Sequence, residues 1–150
     1  MNKINLALCL LMSPAPVFAD TWLNLGGVSH HFATSWDTGE KYNQANFGIG
    51  IEREMGGLNY VAGVYKNSHF RPSKYLIAEK IVYHNGAFGI GFLGGMVDGY
   101  QLNDGGFIPA AALTATIEHN GFGARFMFMP GIANVAAPVV SVQFRVLISP

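Results

Sequence analysis

The feature that most constrains this chain is a side-chain alternation with a period of two, recurring along most of its length. Phe47-Gly48-Ile49-Gly50-Ile51-Glu52 puts bulky apolar groups on one face and glycine with glutamate on the other. Phe122, Phe126 and Phe128 share a face opposite Arg125, and Val140-Ser141-Val142-Gln143-Phe144-Arg145-Val146 repeats the scheme. Phe88, Ile90 and Phe92 alternate with glycines. Successive side chains of a strand point to opposite faces, so this pattern specifies β-structure. No sustained 3.6-residue period competes with it, and 19 glycines among 150 residues disfavour helices.

The alternation places strands near residues 21–33, 44–54, 58–66, 74–84, 87–97, 107–118, 121–130 and 138–148. Their connections alternate in length. Long or medium loops at 34–43, 67–73, 98–106 and 131–137 are interleaved with short turns at Met55-Gly56-Gly57, Asn85-Gly86 and His119-Asn120. Asn-Gly between two strand patterns is a strong hairpin signal, because a type I′ turn needs positive φ at both central positions. Tight turns at one end and longer loops at the other describe an all-β, eight-stranded antiparallel transmembrane β-barrel of the outer-membrane type. A spanning strand takes about 9–11 residues, so eight of them use roughly 80.

The N-terminus has the layout of a secretory signal peptide. Lys3 supplies the positive charge, Ile4 to Met12 a short apolar run, and Pro14, Pro16 and Val17-Phe18-Ala19 the cleavage region. Cleavage after Ala19 removes 19 of the 150 residues and leaves 131, a barrel over 20–150. Cys9, the single cysteine, leaves with the signal, so no disulfide or thiolate metal site is expected. The localisation implied is the bacterial outer membrane, with a monomer as the expected state.

The two faces then have different meanings. Phe47, Ile49, Ile51, Phe126, Phe128, Val140, Val142 and Phe144 face lipid; Glu52, Arg125, Gln143 and Arg145 face a narrow interior filled by side chains. Buried charges must be paired, so Glu52 is expected to pair with Arg125 or Arg145. A soluble lipocalin-like barrel or sandwich with the apolar face inside is the alternative. Only 12% of the residues are charged, which is low for the exposed surface of such a protein. Zero formal net charge excludes an electrostatic nucleic-acid binder.

No metal or cofactor signature is present: there is no HExxH, no Cys/His spacing and no GxSxG elbow. At the loop end, Ser29-His30-His31-Phe32 closes the first strand. With Val28 and Phe32 on the lipid face, Ser29 and His31 face inward. Lys66-Asn67-Ser68 ends the third strand at the same rim. A His and a Ser at one rim are the ingredients of a base–nucleophile pair. Two strand spacings separate their backbones by roughly 10 Å, so contact requires the 67–73 loop to fold inward.

Several segments, in order, resemble the lipid A palmitoyltransferase (PagP) family. They are Ser29-His30-His31-Phe32, Lys41-Tyr42-Asn43, Phe47-Gly48-Ile49-Gly50, Val64-Tyr65-Lys66-Asn67-Ser68, Ile108-Pro109, Met129-Pro130-Gly131 and Val142-Gln143-Phe144-Arg145. The resemblance implies an enzyme that moves an acyl chain from phospholipid to lipid A. Its catalytic His carries onto His31 (or His30) and its Asp-Ser pair onto Asn67-Ser68. Asn67 replaces the family's aspartate and cannot ionise, and the family's amphipathic N-terminal helix has no counterpart. In these roles Ser68 is a nucleophile or oxyanion-side hydroxyl, His31 a general base, and Asn67 an orienting or oxyanion donor. The resemblance also implies lateral lipid access between the sixth and seventh strands, at Pro109 and Pro130. Each proline removes one ladder donor, which lipid cannot replace. The other reading of the chain is a non-catalytic barrel acting through its surface loops.

Overall fold

The computed structural model describes residues 20–32, 41–131 and 137–150; the segment 1–19, expected to be a signal peptide, and most of the 34–43 loop lie outside them. The strands are β1 (Thr21–His31), β2 (Ala45–Met55), β3 (Leu58–Lys66), β4 (Pro72–Asn85), β5 (Phe88–Val97), β6 (Ile108–His119), β7 (Phe122–Met129) and β8 (Val139–Ser149). They form one closed antiparallel barrel in sequence order, with β8 paired back onto β1.

Three tight hairpins close one end. Gly56 and Gly57 both have positive φ, as do Asn120 and Gly121, which is the type I′ requirement. The β6–β7 loop is thus Asn120-Gly121, one residue on from the expected His119-Asn120, and the β4–β5 loop also differs from the sequence expectation of Asn85-Gly86. Asn85 pairs with Phe88, so the two-residue loop is Gly86-Ala87, and within it only Gly86 has positive φ, as a type II′ turn needs. The cause is an irregularity between Ile81 and Tyr83, which slips the β4–β5 register by one residue ahead of the turn.

The barrel has an inverted distribution of polarity. Arg125, Glu52 and Glu79 are buried almost completely, whereas Phe47, Leu113 and Phe122 are 75%, 62% and 66% exposed. On the outer wall, the charged residues that belong to strands lie toward the ends. Lys66 and Lys74 are near the long loops, and the Lys80 ammonium reaches the Gly57 carbonyl at the tight turn, 2.9 Å away. Ile49, Val64, Leu76, Phe92, Leu113, Phe126 and Phe144 make up the band between them.

The interior is layered. Toward the tight turns it holds Trp22, Asn24, Glu52, Glu79, Glu118, Arg125, Gln143 and Arg145. Toward the long loops, on the β5–β8 side, the inward positions are Leu93, Gly95, Val97, Ala110, Ala112, Met127, Met129 and Val139, with Thr114 and Ser141 on either side of Met127. On the opposite wall Tyr65 and Tyr75 fill the space. A Cβ at Gly50 or Gly63 would meet the Tyr75 hydroxyl at 2.4 or 2.6 Å, so this tyrosine fits only beside glycines.

Candidate functional site

Glu52, expected to pair with Arg125 or Arg145, bridges both. Arg125 Nη2 lies 2.8 Å from Glu52 and 2.7 Å from Glu79, and Arg145 is ion-paired with Glu52 and Glu118. Arg125 Nε also donates to Glu79, and Nη1 donates to Asn24 and Gln143 at 3.2 and 3.1 Å. All five guanidinium N–H groups therefore have acceptors. Arg145 further stacks over the Trp22 ring, 4.7 Å from its centroid. This network crosses the lower barrel; within it only Glu79 Oε1 and Arg145 Nε, among the described residues, are buried without a hydrogen-bond partner.

The rim holds the other candidates. β1 starts with Trp22 and Asn24 facing inward; the register shifts between Leu25 and Val28 and reverses the phase. Val28 and His30 are exposed, while Ser29 and His31 point inward. His31, rather than His30, thus faces the site. Across the mouth the loop after β3 folds inward, so that Asn67 and Ser68 are 0% and 7% exposed.

Asn67 organises that loop. Its Oδ1 accepts from the backbone N–H groups of His69 and Arg71, at 2.9 and 3.0 Å. Its Nδ2 donates to Ser73 Oγ and to the Gly99 carbonyl, at 2.9 and 3.0 Å. Both amide protons are used within the protein, so Asn67 orients the turn and is not placed to serve as an oxyanion donor. Asn67→Asp removes two donors and buries a charge beside a carbonyl. The expected result is a barrel that still forms, with the 67–73 loop loosened by about 1–3 kcal/mol. Faster proteolytic nicking at Arg71 would report it, and an unchanged rate would contradict it.

His31 Nδ1 has no hydrogen-bond partner, on Ser68 or elsewhere among the described residues. The Tyr42 ring stacks on His31 with centroids 4.1 Å apart and planes 21° from parallel, and it meets His69 edge-on at 5.6 Å. The Asn43 N–H donates to the Ser68 carbonyl at 2.8 Å and ties the two loops together. Tyr42 therefore stands between the imidazole and the serine turn. The Tyr100 hydroxyl contacts Ser68 and lies 2.9 Å from the Tyr65 hydroxyl. Burial pushes the Tyr100 phenol above its ordinary range, so it keeps its proton at neutral pH. An open groove of about 710 Å³ lies beside this cluster, lined by His31, Tyr42, Asn43, Ala45 and Phe70. Among the described residues, no group of three His, Cys, Asp or Glu side chains is arranged to hold a metal ion.

Pro109 and Pro130 lie beyond the last described pair of the β6–β7 ladder. The β5–β6 ladder runs to Val97↔Ile108 and the β7–β8 ladder to Met129↔Val139. The β6–β7 ladder ends at Leu113↔Phe128. Residues 108–112 of β6 thus have no ladder partner on the β7 side among the described residues. Ala110, Ala112, Met127 and Met129 lie just inside this stretch.

The sequence alone assigned no site role to Tyr42, Tyr100, Glu79 or Asn24. Asn24 was legible from its alternation with Leu23 and Leu25. Glu79 sits beside Lys80, and either parity would have buried one charge. Tyr42 and Tyr100 come from loops, where no periodicity speaks. No family model matches the chain, and no curated protein matches it either.

Proposed function

We propose that the chain is an outer-membrane β-barrel that acts on outer-leaflet lipids as an acyltransferase resembling the lipid A palmitoyltransferases. The membrane part of this reading is supported by the inverted polarity. A charged, hydrogen-bonded interior beneath a continuous apolar outer band suits hydrocarbon, which satisfies no polar group. Replacing outward Leu113 by arginine should cost about 2–4 kcal/mol in a bilayer, as expected for a charge near the midplane of a lipid-facing wall. Urea titration in lipid vesicles measures this; an unchanged midpoint argues for a soluble barrel.

The observation that carries the catalytic part is a coincidence of three features at one end. The upper interior on the β5–β8 side is mostly apolar, the β6–β7 ladder among the described residues stops at Leu113↔Phe128 beside it, and His31 and Ser68 both lie at the rim above. An acyl chain entering at that point would lie against Ala112, Leu93 and Met127, with its ester near the rim. Ser68 Oγ then attacks the ester carbonyl and gives its proton to His31, which passes it to the departing alcohol. The acceptor hydroxyl reverses the sequence and releases Ser68. Tyr42 must swing out of the gap for His31 to reach the serine.

That intervening ring also favours a second reading, a non-catalytic barrel acting through its loops. Lipid A mass spectrometry, from cells with and without the protein, separates the two. The acyltransferase reading expects added acyl mass that disappears in His31→Ala and in Ser68→Ala. No added mass, or full activity in both variants, leaves the loop reading.

A further inference from the structure

Two buried polar atoms on the inner face of β1 have no hydrogen-bond partner, and they are neighbours. Ser29 is 9% exposed and its Oγ is unpaired; two residues on, His31 Nδ1 is also buried and unpaired. With a strand rise of about 3.4 Å per residue, their Cα atoms lie about 7 Å apart on one face. One ligand atom between the two side chains can reach both. The β1 register shift at Gly26-Gly27 aims this pair inward; without it, Val28 and His30 would occupy these positions. On β8, Ser141 pairs with Ser29 and Val139 with His31. Below them the inward positions are Met127, Ala112 and Leu93, with the unpaired Thr114 hydroxyl beside Met127. Polar atoms left unpaired at the head of a mostly apolar compartment call for a partner from outside the chain.

We propose that Ser29 Oγ and His31 Nδ1 together bind the ester carbonyl oxygen of an acyl lipid whose chain occupies the apolar upper interior. Both atoms serve as donors: the hydroxyl through its proton, and the imidazole in the tautomer protonated at Nδ1. That tautomer leaves the lone pair on Nε2, the nitrogen available to act as a base. Ser29 is then a binding and positioning residue that fixes both the ester and the tautomer of His31. The inference rests on the acyl-lipid reading but not on turnover.

The test is nitrogen-15 NMR of the histidine imidazoles, with the full barrel in an ester-free detergent and His31→Asn identifying the His31 resonances. A diester phosphatidylcholine and its diether analogue are the two probes; they share chains and headgroup and differ in the carbonyl. The expected result is a His31 Nδ1 shift with the diester alone, and about tenfold weaker apparent affinity in Ser29→Ala with recovery in Ser29→Thr. Equal responses to both lipids would overturn the proposal. So would no response to either, the result expected if the pair holds only water, or a Ser29→Ala barrel that binds like the parent. Heat-modifiable gel mobility verifies that each variant is folded. In Ser68→Ala the diester shift should persist while acyl transfer is lost. A persistent shift in a parent protein that transfers nothing would refute the catalytic reading and leave the binding site standing.

Discussion

Arg125→Met should cost the barrel about 3–5 kcal/mol, the range for removing one partner of a buried ion pair. Arg125 is fully buried and its five donors converge on Glu52, Glu79, Asn24 and Gln143. Methionine fills a similar volume without clashing, so the loss is electrostatic. Glu52 keeps Arg145, but Glu79 is 0% exposed and loses Arg125, its ion-pair partner among the described residues. The penalty is therefore mostly that of an orphaned carboxylate. Two further variants separate this from a packing defect. Arg125→Lys should recover little, because an ammonium with three donors cannot meet acceptors on four strands. Arg125→Met combined with Glu79→Gln should recover a substantial part, because the uncompensated charge is gone. Urea midpoints in detergent or vesicles report all three; a double variant no more stable than Arg125→Met would show that the network matters for shape, not charge.

Gly27→Ala should be the most damaging conservative substitution in the wall. A Cβ at Gly27 would lie 1.6 Å from the Val142 carbonyl oxygen and 2.7 Å from its carbon. These are backbone atoms of the strand that closes the barrel, and they cannot rotate away as a side chain would. The cost should reach or exceed the ~3 kcal/mol upper end for overpacked sites. It falls on the β1–β8 seam, where the register shift turns Ser29 and His31 inward. Gly94→Ala is the control. Gly94 lies on the outer face and a Cβ there meets nothing within 4 Å. It should fold as the parent does, so equal damage from both substitutions would mean that general glycine loss, not the seam, is responsible. The fraction reaching the compact form on unheated gels distinguishes the outcomes.

The eight strands were legible from alternation, as in Phe122-Gly123-Ala124-Arg125-Phe126, although the turn before it is Asn120-Gly121 and not the expected His119-Asn120. The β4–β5 turn was misplaced by one residue because the irregularity at Ile81–Tyr83 has no residue signature. The lower interior was half legible. Glu52, Arg125 and Arg145 follow from parity alone, while the adjacent Glu79 and Lys80 compete for one inward position. The rim was least legible. Asn67 reads as an ordinary turn residue until its four hydrogen bonds are seen, and Tyr42 reaches His31 only because Asn43 anchors its segment to the Ser68 carbonyl. Long-range bonds of this kind leave no trace in local pattern.

The Arg125 and Arg145 network has one more implication. Three carboxylates and two guanidinium groups, tethered to β2, β4, β6, β7 and β8, cross the barrel below the mouth. They act as spokes: each ion pair ties one part of the wall to another through the middle, so the lower end is braced from within and forms the foundation on which the mouth and its loops are built.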